Sequence, residues 1–518
     1  SLSFLLDDIN VSEKAEIGDK YITYMPEEEL TVGDHKISLS LSDINGNNSV
    51  LEAVITVKEK VNVNGLNVYF GQLHSHTNIS DGAGSIEDAY DYAKNKSGVD
   101  FLAVTDHSNS LDNDKEASME DGSMSPEWVN AHNVAEKYTD ENFLGVYAYE
   151  MTWSNGIGHI NTFNTPGFES RNKSGLTNND SNALQNYYNK LKEFPASLSQ
   201  LNHPGKTFGD FNDFSLYDEQ IDSLVTMIEV GNGEGAIRGS GYFPSYDYYT
   251  RALDKGWHVA PTNNQDNHKG KWGNANTART VILAEDLNEE NLYDALRNMR
   301  TYSTEDENLS IVYTLNDEIM GSIIDKPDTV NIKVDVKDED NENIGKVSVL
   351  VNGGAVIDSK TLNSNEGTIE FDLPADYSYY YIRIDQEDKD IAVTAPVWLG
   401  EVEKAGLSTT EASTTMPIKG EEFIIETSLY NNEDFPLTID SIEYSIDGEV
   451  INSTSEKITI NSLSTGSYSF KYTPNASGSF NIDVKAKGTL NGVEKTYTDV
   501  LKITVSDPSV ISKVVIDA

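Results

Sequence analysis

The sequence predicts a multidomain chain with an α/β centre, built on a parallel sheet or an α/β barrel, between all-β sandwich modules. Three observations carry this. Short apolar runs alternate with helical patterns from residue 65 to about 305. Strand-like alternation, split by Gly, Asn and Asp turns, fills both flanks. Eight of the nine histidines fall in the central stretch. A length of 518 residues fits three to five domains of about 100–200 residues each.

Taken in order, residues 1–60 alternate as strands do. Tyr21–Met25 and Leu30–Leu41 precede the turn-rich Asp43–Asn48, and Leu51–Val57 follows. Regularly spaced short strands predict an immunoglobulin-like sandwich. Residues 61–308 hold the apolar runs Leu66–Phe70, Phe101–Thr105, Leu144–Tyr149, Leu198–Leu201, Leu224–Val230, His258–Pro261 and Thr280–Leu283. Helix candidates lie between them. Ser85-Ile-Glu-Asp resembles a capping box, with Ile86, Ala89, Tyr90 and Ala93 on one face. Asn288–Arg300 places Leu292, Leu296 and Met299 together. Such alternation predicts βα units.

Residues 309–400 return to strands, as in Val330–Val336 and Tyr379–Ile384. The acidic stretch from Asp338 to Asn343 has the oxygen donors calcium takes, but reads as a solvated loop. A Thr/Ser stretch at Ser408–Thr415 reads as a linker within the last module, 401–518. Glu421–Tyr430, Ile442–Ile446 and Ser467–Tyr472 predict a second immunoglobulin-like sandwich there.

Acids outnumber bases 85 to 38, a formal net charge of −47. That excludes a general nucleic-acid or anionic-membrane surface, since both need a basic field. With no cysteine there is no disulfide frame, thiolate nucleophile or sulfur-bound metal. No apolar run approaches the ~20 residues of a membrane span. The chain starts at Ser1 and stops at Ala518 without evident boundaries, and reads as a piece of a larger protein. An acidic, cysteine-free, Asn- and Tyr-rich multidomain chain predicts an exported protein of a bacterial surface, with sandwich modules suited to cell-wall or surface association.

The histidines and their acidic neighbours fall at strand ends. His74 and His76 follow Leu66–Leu73, and i, i+2 residues project to one side of a strand. Asp81 is five residues on. Asp106 and His107 follow Phe101–Thr105, and Glu150 follows Leu144–Tyr149. His159 sits in Gly-His-Ile-Asn, His203 before a proline, and Asp266 and His268 in Gln-Asp-Asn-His. Alone, each has an ordinary reading as a surface residue, turn residue or cap. Together they mark the C-terminal rim of an α/β barrel, where sites are built. His35, His132 and His258 lack this context and read as surface or core residues.

Leu-His-Ser-His-Thr…Ser-Asp-Gly, Val-Thr-Asp-His, Glu150 with Gly-His159, Asn-His203-Pro and Asp266-Asn-His268 resemble the polymerase and histidinol phosphatase (PHP) superfamily. The tail from Asn291 to Thr304 resembles its CehA/McbA-type branch of metallohydrolases. The resemblance spans residues 65 to about 305. It implies a distorted (β/α)7 barrel holding three divalent metals. The first would take His74, His76, Glu150 and Asp266. The second would share Glu150 and add His159 and His203. The third would take Asp81, His107 and His268. Asp106 would orient a ligand. Gln72 departs from the resembled pattern, where Asp is common, and removes a negative charge beside the first metal.

Nitrogen and oxygen donors without sulfur suit Zn, Mn or Fe alike. A carboxylate shared by two ions would help to make hydroxide from bound water. The expectation is a metal-dependent phosphoesterase acting on a small anionic ester, with Glu150, Asp266, Asp106 and Arg238 serving catalysis. Arg238, in a Gly-rich loop after Leu224–Val230, could contact phosphate or stand solvated. Lys206, Lys269 and Lys271 carry the same alternatives, and Trp272 and Tyr242 could wall the pocket or pack in the core. A carboxyl or carbamate ester hydrolase, and a binding or adhesion protein without catalysis, are the competing readings. The net charge disfavours a nucleic-acid substrate except at close range.

Overall fold

The computed structural model describes residues 2–17, 22–24, 26, 30–31, 33–42, 47–57, 62–63, 65–111, 117–340, 342–400, 404–414 and 416–507. The expected turn at 43–46, the start of the strand at Tyr21 and the end of the linker at Thr415 lie outside them. The chain divides into two compact units, 1–67 and 68–518.

In the first unit, Leu2–Leu6 pairs antiparallel with Gly33–Ser42, which pairs antiparallel with Asn48–Val57. Alternate Ile, Leu and Ser residues along Gly33–Ser42 suit a pleated strand. His35 is buried and bridges Asp7 Oδ2 and the Thr31 carbonyl, both at 2.5 Å.

In the second unit the expected strands form, but not as a closed (β/α)7 barrel. Strand makes up 46% of the structure and helix 14%, too little helix for seven βα units. The central strands fall in two mixed sheets. One runs Leu144–Tyr147, Phe101–Val104, Leu66–Gln72, Arg279–Ala284 and Thr301–Thr304. The other runs Tyr149–Thr152, His159–Phe163, Leu198–Asn202 and Val225–Asn232, with Ala260–Asn264 beside the last. The first three strands of the former are parallel. In the latter, His159–Phe163 is antiparallel to both its neighbours. The chain between Tyr149–Thr152 and His159–Phe163 is a short turn with no crossover helix, and a short connection forces a hairpin. The two sheets meet at isolated parallel bridges, Ser75 with Asn267 and His107 with Glu150.

The helices cover these sheets. Ile86–Tyr92 is capped as the sequence predicts: Ser85 Oγ accepts the Asp88 N–H at 3.1 Å, and Asp88 Oδ2 accepts the Ser85 N–H at 2.9 Å. Asn288 caps Glu289–Arg297 through the Asn291 N–H at 2.9 Å. Leu292, Ala295 and Leu296 of that helix pack on Leu73, Phe101, Val146, Leu198 and Ile282 in one buried cluster.

The third segment is continuous with the second. Thr301–Thr304 pairs antiparallel with Ile391–Thr394, which leads into Tyr379–Asp385 and Gly345–Val351. The last segment is a sandwich. Ala405–Ala412, Phe423–Asn431 and Ser464–Tyr472 form one sheet; Leu437–Ile446, Gly478–Leu490 and Val493–Val505 lie in the other. Ile425, Leu429, Ile442, Tyr444 and Ile482 fill the space between. The stretch read as a linker is therefore a strand. Leu407, Ser408 and Thr410 are buried, and Thr410 Oγ1 lies 2.9 Å from Thr427 Oγ1. Thr is a good strand former, so Thr/Ser composition did not distinguish linker from sheet.

Because the central and third segments share a ladder, a fragment ending at residue 308 would bare the Thr301–Thr304 edge. Residues 62–308 should be recovered aggregated or protease-sensitive. Residues 62–400 should give a larger protected core in limited proteolysis.

Candidate metal centre

The ligand candidates converge where the two sheets meet. His74 and His76 lie past Leu66–Gln72, Asp106 and His107 past Phe101–Val104, and His203 past Leu198–Asn202. Asp266 and His268 lie past Ala260–Asn264, and Glu150 is within Tyr149–Thr152. His159 differs: it opens its strand, and the antiparallel direction brings that end to the same rim.

Four overlapping groups of donors result, each with its ligand atoms within 4.8 Å of one another; one is His74, His203 and Glu229, and the other three hold the expected ligands, with His76 also in the third. In the first, Asp266 Oδ1 lies 3.3 Å from His74 Nε2 and 3.0 Å from His76 Nε2. The two Nε2 atoms are 3.2 Å apart. In the second, Glu150 Oε1 is 3.2 Å from His159 Nδ1 and 3.6 Å from His203 Nε2. It is also 3.3 Å from His74 Nε2, and Glu150 Oε2 is 2.6 Å from His107 Nδ1, so Glu150 touches all three groups. In the third, Asp81 Oδ1 is 3.4 Å from His107 Nε2 and 3.2 Å from His268 Nε2.

Several contacts fix which nitrogen faces inward. His74 Nδ1 is 3.0 Å from the buried carboxylate of Glu229, leaving Nε2 for the centre. His159 Nε2 donates to the Trp153 carbonyl at 3.1 Å, and His268 Nδ1 to the Asp266 carbonyl at 2.7 Å. Such outer contacts set tautomer and ring orientation in metal sites. Asp266 Oδ1 is buried among imidazole nitrogens, yet makes no hydrogen bond of good geometry. Converging imidazole nitrogens and carboxylate oxygens of this kind suit a cation. His203 and Asp266 adopt φ of 31° and 47°, left-handed backbone held at two ligand positions.

Asp106 is not among these donors. Its Oδ1 accepts from the Thr77 N–H at 2.8 Å and from Ser80 Oγ at 2.5 Å, and its Oδ2 from Thr77 Oγ1 at 2.7 Å. It therefore holds the loop between His76 and Asp81. Gly82 closes that loop; a Cβ there would meet the His76 carbonyl oxygen at 2.7 Å. Gln72 also has a structural part: its Oε1 accepts the Gln265 N–H at 2.7 Å and its Nε2 donates to the Ala278 carbonyl at 2.6 Å. Trp272 packs in the core and donates from Nε1 to the His76 carbonyl at 2.9 Å. Arg238 is committed elsewhere, 2.9 Å from Asp390 and 2.6 Å from the Lys389 carbonyl. Its guanidinium serves the contact with the third segment. Lys269 pairs with Glu234 at 2.9 Å.

Sequence reasoning missed Glu229. Its Oε2 also accepts the His203 N–H at 2.7 Å and Asn232 Nδ2 at 2.9 Å, so one carboxylate braces two ligands. The signal was present: Glu229 is the one charge inside the apolar run Leu224–Val230, and a buried charge needs partners. Asn202 was also missed; its Nδ2 donates to Glu150 Oε1 at 2.9 Å.

Electrostatics reflect crowded opposite charges. Burial opposes a charged His74, but Asp266, Glu229 and Glu150 outweigh it and hold its pKa well above the ordinary value. His107 is pushed up to about 10, its desolvation overcome by Glu150 and Asp81. His268 is pushed up to about 9, where Asp81 and Asp266 likewise overcome burial. Glu150 and Asp266 lie well below the carboxylate range despite their burial, because imidazoles surround them. His107 and His268 therefore act as cations in the metal-free fold.

Comparison with known proteins places the C-terminal segment. Residues 406–497, under a fifth of the chain, match the family model of the first Ig-like domain of Trs120/TRAPPC9. No curated protein matches. Among solved structures, red sea bream transglutaminase is 14% identical over 38% of this chain and 31% of its own, with a TM-score of 0.17. The D0-D1 domain of intimin is 13% identical over 38% of this chain and 100% of its own, with a TM-score of 0.20.

The family match corrects the reading drawn from resemblance. It supports an Ig-like module at residues 406–497, like the first Ig-like domain of Trs120/TRAPPC9, and gives no support to the PHP superfamily. The phosphoesterase with its ester-hydrolase and adhesion alternatives, the small anionic ester partner and the exported bacterial location are accordingly withdrawn.

Replacing Glu229 by Gln should keep the fold and loosen His74. Metal affinity should fall about 10- to 100-fold, read by competition with a chromophoric chelator.

Proposed function

We propose that the chain is a metalloprotein whose second unit holds three divalent ions, zinc, manganese or iron, behind Ig-like modules. The first ion is assigned to His74, His76, Asp266 and Glu150, the second to Glu150, His159 and His203, and the third to Asp81, His107 and His268. The observation that carries this reading is the 3.2 Å approach of His74 Nε2 to His76 Nε2 beside Asp266 Oδ1. Bound ions would neutralise Glu150 and Asp266 and polarise any oxygen ligand brought against them. The donor set is all nitrogen and oxygen, which suits all three metals. Glu229, Asn202 and Asp106 position the ligands in this arrangement.

A second reading attaches to the last module. The match at 406–497 favours a part in assembly with TRAPP-complex subunits. The full chain should then co-elute with purified subunits; separate elution removes that reading.

Two measurements test the metal centre. Glu150→Ala should lose two ions per chain, since its carboxylate is shared, while His268→Ala should lose mainly one. Elemental analysis of the purified variants reads the difference, and equal losses would refute the assignment.

The pH dependence follows from the imidazoles. His107 at about 10 and His268 at about 9 are raised above the unfolded value of about 6.5. Their contribution to metal-free stability is full below about pH 6.5 and is lost as pH rises through 9 and 10. Ions compete with those protons, so loading at pH 7 should acidify a weakly buffered solution. The metal-free protein should lose denaturation midpoint between pH 7 and 10 more steeply than the loaded one.

A further inference from the structure

A cavity of about 660 Å³ opens at the other end of the strands from the histidine centre. Val225–Asn232 and Ala260–Asn264 run parallel. Asp266 and His268 follow the end of the latter, whereas Thr226 and His258 stand at or just before the starts of the two strands and line the cavity. The third segment supplies another wall, through Glu318–Ile319 and Ile323–Ile324. Sites for small molecules have volumes of about 300–1,000 Å³.

Two polar atoms of the lining have no partner among the described residues. Thr226 is 2% exposed, and its Oγ1 is buried without a hydrogen bond. His258 places Nδ1 2.6 Å from Asp222 Oδ2 and donates its backbone N–H to Asp222 Oδ1 at 2.7 Å. A carboxylate only accepts, so Nδ1 carries the proton and the neutral ring keeps a lone pair on Nε2. That Nε2 is buried and unpartnered as well. Trp398 stands edge-on to the ring, 5.0 Å away between centroids, and fixes its plane. The lining thus offers one hydroxyl donor and one nitrogen acceptor, and such groups are costly to leave unmade.

The charges of the lining are also unspent. Arg297 and Glu318 both line the cavity, and among the described residues neither forms an ion pair. Arg297 reaches only main-chain carbonyls, Ala196 at 2.6 Å and Pro195 at 3.5 Å. Arg300, by contrast, is paired with Asp294. Met299, Ile319, Ile323 and Ile324 add apolar surface between these groups.

We propose that this cavity binds a short peptide with free ends and apolar side chains, of dipeptide size. One peptide group carries one N–H and one C=O, which answer His258 Nε2 and the Thr226 hydroxyl. The terminal carboxylate suits the Arg297 guanidinium and the ammonium suits Glu318. The side chains cover the isoleucines. A hydroxy acid would leave Glu318 without a cation, and a nucleotide would bring phosphates against Glu318 and Asp222. The site is separate from the histidine centre and does not rest on it.

The test titrates the full chain with leucyl-leucine in a calorimeter at about pH 8, where an ordinary imidazole is neutral. One peptide should bind per chain, with a dissociation constant on the order of 10⁻⁴ M for a ligand of this size. Acetylating the amine or amidating the carboxylate should each weaken binding about tenfold or more. Glu318→Gln, at an exposed position, should erase the loss on acetylation, and Arg297→Gln the loss on amidation. Thr226→Val keeps the shape of the side chain and should weaken binding about three- to tenfold. Chelator should change none of these results. No saturable binding up to about 10 mM overturns the site. Equal affinity for the blocked peptides overturns the assignment to free ends, and undiminished affinity in Thr226→Val overturns the placement. Loss of binding with chelator would assign the peptide to metal ions and overturn the cavity as its site.

Discussion

A carboxylate with no access to water sets the terms for the second unit. Glu150 is fully buried, and an isolated buried carboxylate costs several kcal/mol. The cost must be met by positive charge or metal held at fixed distance. Five imidazoles surround it: His74, His76, His107, His159 and His203 all have a ring nitrogen within 4 Å of it, and His74 and His107 are held protonated beside the acids. Each comes from a different loop or strand end, apart from the His74–His76 pair. The strands can neither slip nor separate without stranding that charge. Glu229 then does for the backbone of His203 and the ring of His74 what Glu150 does for the centre.

Under the proposed reading the same donors would serve two states. Without metal, protons on His74, His107 and His268 balance the carboxylates. Bound ions would replace those protons. A site of this kind is organised before any ion arrives, which lowers the conformational cost of binding.

Much of this was legible in the chain. Apolar runs located Leu66–Gln72, Phe101–Val104, Leu198–Asn202 and Arg279–Ala284 to within two residues, because buried strands read as continuous apolar stretches. The ligand candidates followed from their place after those runs. Strand direction was not legible: alternation in His159–Phe163 has the same period whichever way the strand runs. The closed barrel failed for that reason, since the hairpin at Tyr149–Phe163 divides the ladder between two sheets. The ion pair of Arg238 was not legible, because its partner, Asp390, is 152 residues away in sequence and in another segment. The burial of Asp338 was equally invisible. A run of acids looks solvated until the fold brings Gln386 and Asp306 against it.

The ladder between Thr301–Thr304 and Ile391–Thr394 bears on how such a chain can be inherited. Repeated modules on a string recombine at their junctions, because each carries its whole hydrogen-bonding surface. Here the junction near residue 309 runs through a shared sheet. An exchange at that point would give each descendant half of a ladder, and neither half has a ready partner elsewhere. The central and third segments are therefore one unit of descent. The terminal sandwich has its two sheets and its own core, and among the described residues shares only side-chain contacts with the rest, such as Lys404 with Glu219 at 2.7 Å and Asn432 with the Lys255 carbonyl at 3.2 Å, with no ladder, so a junction there would leave no strand edge bare.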